Sequence, residues 1–205
     1  MKLQLALDRL TKEECLQVLA HTHQMVDIIE IGTGIIKEYG MSLVRKIRDL
    51  YPHHILLIDM KTCDAGKHEA KQAFAAGADI TTAMGFSSNQ TIIDMLEAAK
   101  KENKQVLVDL LGIDSDKRMN ELQDLGVNLV GLHVGKDEQN ETSFSTELFS
   151  LVKGLEFKVA VAGGINLTMV PEIKKYQPDI IIVGSAITKA ENPVKTAKLF
   201  KSILQ

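Results

Sequence analysis

At 205 residues the chain is long enough for one domain, 1–205, with a real buried core. Its 45% hydrophobic and 25% charged content is that of an ordinary globular protein. A formal net charge of −3 with no basic block argues against a nucleic-acid partner, and no apolar run reaches the roughly 18 residues of a membrane span.

Trp is absent and aromatics make up only 4%, so the core must be built from Ile, Leu, Val, Ala and Met. The opening segment, MKLQLALDRL, lacks a long apolar stretch, and Asp8 interrupts it, so it is not read as a secretory leader. Cys15 and Cys63 lie far apart and show neither metal spacing nor a disulfide framework. A reducing cytoplasm is the expected setting.

Short apolar runs alternate with helical patterns along the whole chain. In order, the runs are LQLALD (3–8), DIIEIG (27–32), HILLIDM (54–60), DITTAM (79–84), QVLVDLLG (105–112), NLVGLH (128–133), KVAVAGG (158–164) and DIIIVGS (179–185). Such short runs, rich in Ile, Val and Leu, mark strands buried on both faces, as in a parallel sheet. Between them fall helical segments such as KEECLQVLAHT, GKHEAKQAFAAG, QTIIDMLEAAKKE, KRMNELQDLG and NPVKTAKLFKSIL. Thr11 and Glu14 make a capping-box pattern, and Gly77 and Gly126 stand where helices should stop. About eight β/α units in this length fit a closed (β/α)8 TIM barrel better than a doubly wound sheet. The longest irregular stretch is Gly135 to Ser145.

In such barrels chemistry sits at the carboxyl ends of the strands. Asp8 ends the first run, Glu30 lies near the end of the second, and Asp59 ends the third, followed by Lys61 and Asp64. The fifth run reaches Asp109 and the sixth ends in His133. Each has a plainer reading. Asp8 could cap the turn before the first helix, Asp109 could cap the helix that follows it, Asp59 and Lys61 could be a structural ion pair, His133 could be structural, and Asp64 could be a loop acid. Glu30 is harder to explain away, because a carboxylate inside an apolar run is costly unless paired or bound to a metal. The convergence of the set on one barrel mouth favours function. The last two strands end in Gly163-Gly164 and Gly184-Ser185, which allow close backbone approach where barrels often hold phosphate.

These residues carry a resemblance. Asp59-Met-Lys61-Thr-Cys-Asp64 matches the D-x-K-x-x-D motif of the orotidine-monophosphate-decarboxylase superfamily, whose ribulose-phosphate-binding barrels share this strand plan. The E-I-G-T segment at Glu30 and the H-x-G-x-D-x-Q segment at His133 make the chain resemble the branch of 3-hexulose-6-phosphate synthases and 3-keto-L-gulonate-6-phosphate decarboxylases. Asp109 matches the synthase pattern, where the decarboxylase has Glu. Lys136 and Ser185 stand where the decarboxylase carries arginines. The chain also departs from the usual synthase: Gly34 replaces a Pro, and residues 140–144 and Met84-Gly85-Phe86-Ser87-Ser88 are unusual.

The resemblance implies condensation of formaldehyde with ribulose 5-phosphate, or the reverse, through an enediolate. It implies Mg2+, with Mn2+ as a substitute, held by Glu30 and Asp59 with Asp109 nearby. Lys61 would hydrogen-bond the enediolate, His133 would move the C1 proton, and Asp8 would bind sugar hydroxyls. Phosphate would rest on the backbone around Gly163, Gly164, Gly184 and Ser185. The Asp matching Asp64 reaches a neighbouring subunit's site in relatives, implying a homodimer with shared active sites. The sugar-acid phosphate decarboxylase is the alternative activity. A non-catalytic sugar-phosphate binder is disfavoured, because binding alone does not need the acid, lysine and histidine set.

Overall fold

A computed structural model of the chain describes residues 1–140 and 144–205. Eight parallel strands close on themselves in sequence order. They are β1 (Lys2–Leu7), β2 (Ile28–Ile31), β3 (Ile55–Thr62), β4 (Ile80–Met84), β5 (Gln105–Asp109), β6 (Leu129–His133), β7 (Lys158–Ala162) and β8 (Ile180–Val183). The ring closes where Leu3 and Leu5 of β1 pair with Ile181 and Val183 of β8. The (β/α)8 barrel expected from the alternating runs is therefore the architecture observed.

Helices α1 (Lys12–Thr22), α2 (Thr33–Leu50), α3 (Gly66–Ala75), α4 (Asn89–Lys101) and α5 (Asp116–Asp124) follow the first five strands, and α6 (Val170–Lys174), α7 (Ser185–Thr188) and α8 (Pro193–Leu204) complete the outer layer. Thr11 and Glu14 form the capping box: Glu14 N–H donates to Thr11 Oγ1 at 3.2 Å, and Thr11 N–H donates to Glu14 Oε2 at 2.7 Å. Gly77 (φ 106°) and Gly126 (φ 84°) follow the ends of α3 and α5 as expected. Two features depart from a regular alternation. Gly40 (φ 62°) breaks α2 internally, and β6 is followed by 3-10 turns, Glu138–Asn140 and Thr146–Val152, instead of an α-helix. Of the stretch Gly135–Ser145, residues 141–143 lie outside the described residues.

Strand periodicity sorts the side chains into two layers. On β1, Leu3, Leu5 and Leu7 pack outward against the helices, while Gln4 and Ala6 point into the barrel. Ile28, Leu57, Ile80, Leu107, Leu129 and Ile180 form an apolar plug inside the barrel. Two residues further along the same faces come Glu30, Asp59, Thr82 and Asp109, now at the edge of a cavity. The barrel is thus apolar at its base and polar at its carboxyl mouth. Several apolar runs extend past the strands they contain. Beyond Asp109 the chain turns, with Asp109 Oδ1 accepting from Leu111 N–H at 2.9 Å, and beyond Ala162 it enters two positive-φ glycines.

Candidate active site

The barrel mouth encloses a cavity of about 440 Å³. Its walls include Asp8, Glu30, Asp59, Lys61, Asp109, His133, Gly163, Gly164, Gly184 and Ser185, every site residue expected from the sequence except Asp64. A wider, shallower hollow of about 610 Å³ lies against α8, but Asn192, Val194, Lys195, Lys198, Leu199 and Ser202 line it and it holds no acid or histidine. Convergent acids, a lysine and a histidine make the barrel mouth the candidate site.

Asp109 is the hub. Its Oδ2 accepts from Lys61 Nζ at 2.6 Å and pairs with His133 Nδ1 at 2.9 Å. Burial alone would raise the Asp109 carboxyl, but the His133 hydrogen bond and charge and the Lys61 ammonium outweigh it, pushing it down to about 2. Burial likewise works against charge on Lys61, yet Asp59 and Asp109 raise its pKa above the usual lysine value. His133 is also raised, because the Asp109 bond and charge overcome desolvation. With Nδ1 oriented by Asp109, Nε2 is the ring nitrogen left for chemistry. Asp109 therefore orients both neighbours and favours positive charge on them. It also accepts from Leu111 N–H in the turn after β5, but it does not cap the following helix, where Ser115 is the N-cap.

Asp59 is held from three sides. Thr82 Oγ1 donates to Oδ1 at 2.8 Å, Thr33 Oγ1 lies 2.9 Å from Oδ2, and Lys61 Nζ lies 3.3 Å from Oδ2. Thr82 Oγ1 in turn accepts from Lys61 N–H at 2.8 Å, fixing the backbone just where β3 leaves regular geometry. Lys61 itself has φ 49°, an unusual conformation for a residue with a side chain. The Asp59–Lys61 ion pair exists, but it is one edge of a network and not an isolated structural bridge.

Glu30 is buried beside Asp59. Burial first, then the Asp59 charge, pushes its carboxyl up to about 7, against the opposing pull of a Gln4 hydrogen bond. Gln4 Nε2 donates to Glu30 Oε2 at 2.6 Å. Two carboxylates forced together in a partly apolar wall suit a cation. Among the described residues no cluster of three or more His, Cys, Asp or Glu side chains is grouped to hold a metal. Glu30 and Asp59 offer hard carboxylate oxygens of the kind that Mg2+ takes one or two at a time, with water or ligand oxygens in its remaining positions.

Asp8 does not cap α1, since Thr11 does. Its Oδ1 accepts from Gly34 N–H at 3.2 Å, and its Oδ2 sits 3.3 Å from Arg9 Nε. A Cβ on Gly34 would come within 2.8 Å of Asp8 Oδ1, so the glycine both donates to Asp8 and makes room for it. On the opposite wall Gly163 (φ 115°) runs so close to Val134 that a Cβ would lie 2.6 Å from its carbonyl oxygen. Asp64 stands apart: it is exposed and does not line the cavity. Sequence reasoning assigns no role to Gln4, Thr33 and Thr82, nor to the mouth cations Arg9 and Lys189, all of which line the cavity. Gln4 does carry a signal, because it interrupts an apolar run on the face shared with Ala6 and Asp8.

Residues 1–200 match the orotidine 5'-phosphate decarboxylase / HUMPS family. The chain belongs to that family. It is 37% identical over 207 residues to a 3-hexulose-6-phosphate synthase of Bacillus subtilis, covering 100% of this chain and 99% of that one. A solved 3-hexulose-6-phosphate synthase from Salmonella typhimurium, also 37% identical, superposes with a TM-score of 0.96 over 100% of this chain and 98% of that one. A solved 3-keto-L-gulonate-6-phosphate decarboxylase from Vibrio cholerae is 26% identical, with a TM-score of 0.89 over 99% and 96% of the two chains. The synthase resemblance carried by the motifs thus extends over the whole length.

Proposed function

We propose that the protein is an aldehyde-lyase that condenses formaldehyde with D-ribulose 5-phosphate to give D-arabino-hex-3-ulose 6-phosphate, or runs that reaction in reverse. The observation that carries the reading is the Lys61–Asp109–His133 linkage set against the Glu30–Asp59 pair in one cavity. Full-length similarity to synthases supports it, at higher identity than to the decarboxylase on the same scaffold.

The residues divide the work. His133 Nε2 takes the C1 proton of the ketose, and Asp109 holds the ring in position and stabilises the resulting charge. The carbanion pair left on C1 then forms the new bond to the formaldehyde carbon, and the aldehyde oxygen gains a proton. Lys61 hydrogen-bonds the enediolate and offsets the surrounding carboxylates. Glu30 and Asp59 would hold a divalent cation, Mg2+ or Mn2+, which would supply Lewis-acid stabilisation of the enediolate charge. Asp8 binds sugar hydroxyls, and the backbone around Gly163, Gly164, Gly184 and Ser185 receives the phosphate, aided by the cations Arg9 and Lys189 at the rim. Exposed Asp64 is suited to completing the site of a second copy in a homodimer. The two free cysteines suit a reducing cytoplasm.

A decarboxylase acting on 3-keto-L-gulonate 6-phosphate is the second reading. The cation Lys136 on the cavity wall favours it, because a positioned cation near the reacting carbons could serve protonation. Lys136 instead donates to Gln139 Oε1 at 3.2 Å, and a lysine lacks the donor fork of an arginine. Parallel assays test the choice. Ribulose 5-phosphate with formaldehyde and Mg2+ should give the hexulose phosphate, and EDTA should abolish turnover. Turnover of 3-keto-L-gulonate 6-phosphate without condensation would reverse the assignment.

A further inference from the structure

Gln4 is completely buried in β1, yet it lines the cavity. Its amide nitrogen donates to Glu30 Oε2 at 2.6 Å. Its carbonyl oxygen, Oε1, is the single buried side-chain polar atom among the described residues with no hydrogen-bond partner. Burying such an acceptor unpaired costs on the order of 1–3 kcal/mol, so in a native site it calls for a donor that arrives with a ligand. Register explains the contact. Gln4 pairs with Ile28 across the β1–β2 ladder and Ala6 with Glu30, so the Gln4 and Glu30 side chains share the interior face one step apart.

The chemistry of the contact matters. A lysine or arginine beside Glu30 would compete with a cation for the carboxylate. A neutral amide fixes the carboxylate without adding a charge that competes with the ion. No partner for Glu30 Oε1 is found among the described residues, so the hydrogen bond occupies one oxygen and spares the other. We propose that Gln4 is a positioning residue for the divalent-cation site: its N–H holds Glu30 in the orientation that receives the ion, and its Oε1 accepts a hydrogen bond from a water or hydroxyl that accompanies the ion. This rests on the reading that Glu30 holds the cation.

The test uses Mn2+ alone, titrated into the full-length protein without substrate and followed by the electron paramagnetic resonance signal of the free ion. Gln4→Met keeps the length and volume but removes both polar atoms. It should weaken Mn2+ binding about tenfold or more, the usual loss when a group that orients a metal ligand is removed. The Mn2+ concentration for half-maximal activity should rise in parallel, with kcat at saturating metal changing less. Gln4→Asn, which keeps the amide but withdraws it by one methylene, should also weaken binding and serves where the Met variant fails to fold. A merely structural Gln4 would lower the melting temperature and leave Mn2+ affinity unchanged, which would overturn the proposal. Glu30→Gln is the control for the underlying reading. Weak binding in Glu30→Gln with wild-type binding in both Gln4 variants overturns the role of Gln4 alone, whereas wild-type binding in Glu30→Gln overturns the cation reading as well.

Discussion

Single residues at the mouth are constrained by what surrounds them, and Gly163 shows this most sharply. Its φ of 115° is disfavoured for any residue with a Cβ, and the space for that Cβ is already filled by Val134. Gly163→Ala should therefore cost more than backbone strain alone, roughly 2–4 kcal/mol by chemical denaturation. Gly154 has φ 81° and open space around it, so Gly154→Ala should lose only about 1 kcal/mol. Equal losses would mean that the β7 turn yields easily and that the close approach to Val134 does not fix it. The glycine pairs were legible in the sequence as turns suited to a phosphate. Their tight packing was not, because it depends on β6 lying beside β7, a contact between residues distant along the chain.

Pairs of elements are tied at the base of the barrel by a different kind of contact. Asp79, just before β4, accepts from Lys104 Nζ at 2.6 Å, from Arg48 Nη2 at 2.5 Å and from Leu56 N–H at 3.0 Å. It thus links α2, β3, β4 and the approach to β5. Burial pulls its carboxyl pKa upward, but the Lys104 bond, the Leu56 N–H and Arg48 prevail and lower it. A carboxyl whose folded pKa lies below its unfolded value, about 3.9, contributes stability above that value and loses it as pH falls through the folded pKa. Urea midpoints measured from neutral pH down to acid should fall less steeply for Asp79→Asn than for the wild type. Parallel profiles would show that this cluster contributes nothing to acid sensitivity. The strands that Asp79 ties together were readable as apolar runs. The stretch after β6 was readable as irregular but not as 3-10 turns, and the break in α2 was not read, because a single glycine, Gly40, is often tolerated within a helical pattern.

For the molecule as a whole, the sequence carried the barrel and most of its site because a closed parallel barrel puts the end of every strand on one rim. Any acid or histidine at a strand's carboxyl end is then a neighbour of the others, and Glu30, Asp59, Asp109 and His133 needed only that rule. What escaped notice was support: Gln4, Thr33 and Thr82 hydrogen-bond Glu30 or Asp59 and have no motif of their own. Asp64 was legible only as part of a motif; it lies outside this chain's cavity, and a second copy enters the proposal through the family resemblance. The central claim is that His133 and its neighbours generate a carbanion at C1 of a ketose phosphate. Ribulose 5-phosphate incubated with the protein and Mg2+ in deuterium oxide, without formaldehyde, tests it directly by nuclear magnetic resonance. The account predicts exchange of a C1 proton for deuterium, slowed about 100-fold or more in His133→Asn. Absence of exchange in the wild-type protein, alongside efficient decarboxylation of 3-keto-L-gulonate 6-phosphate, would contradict it.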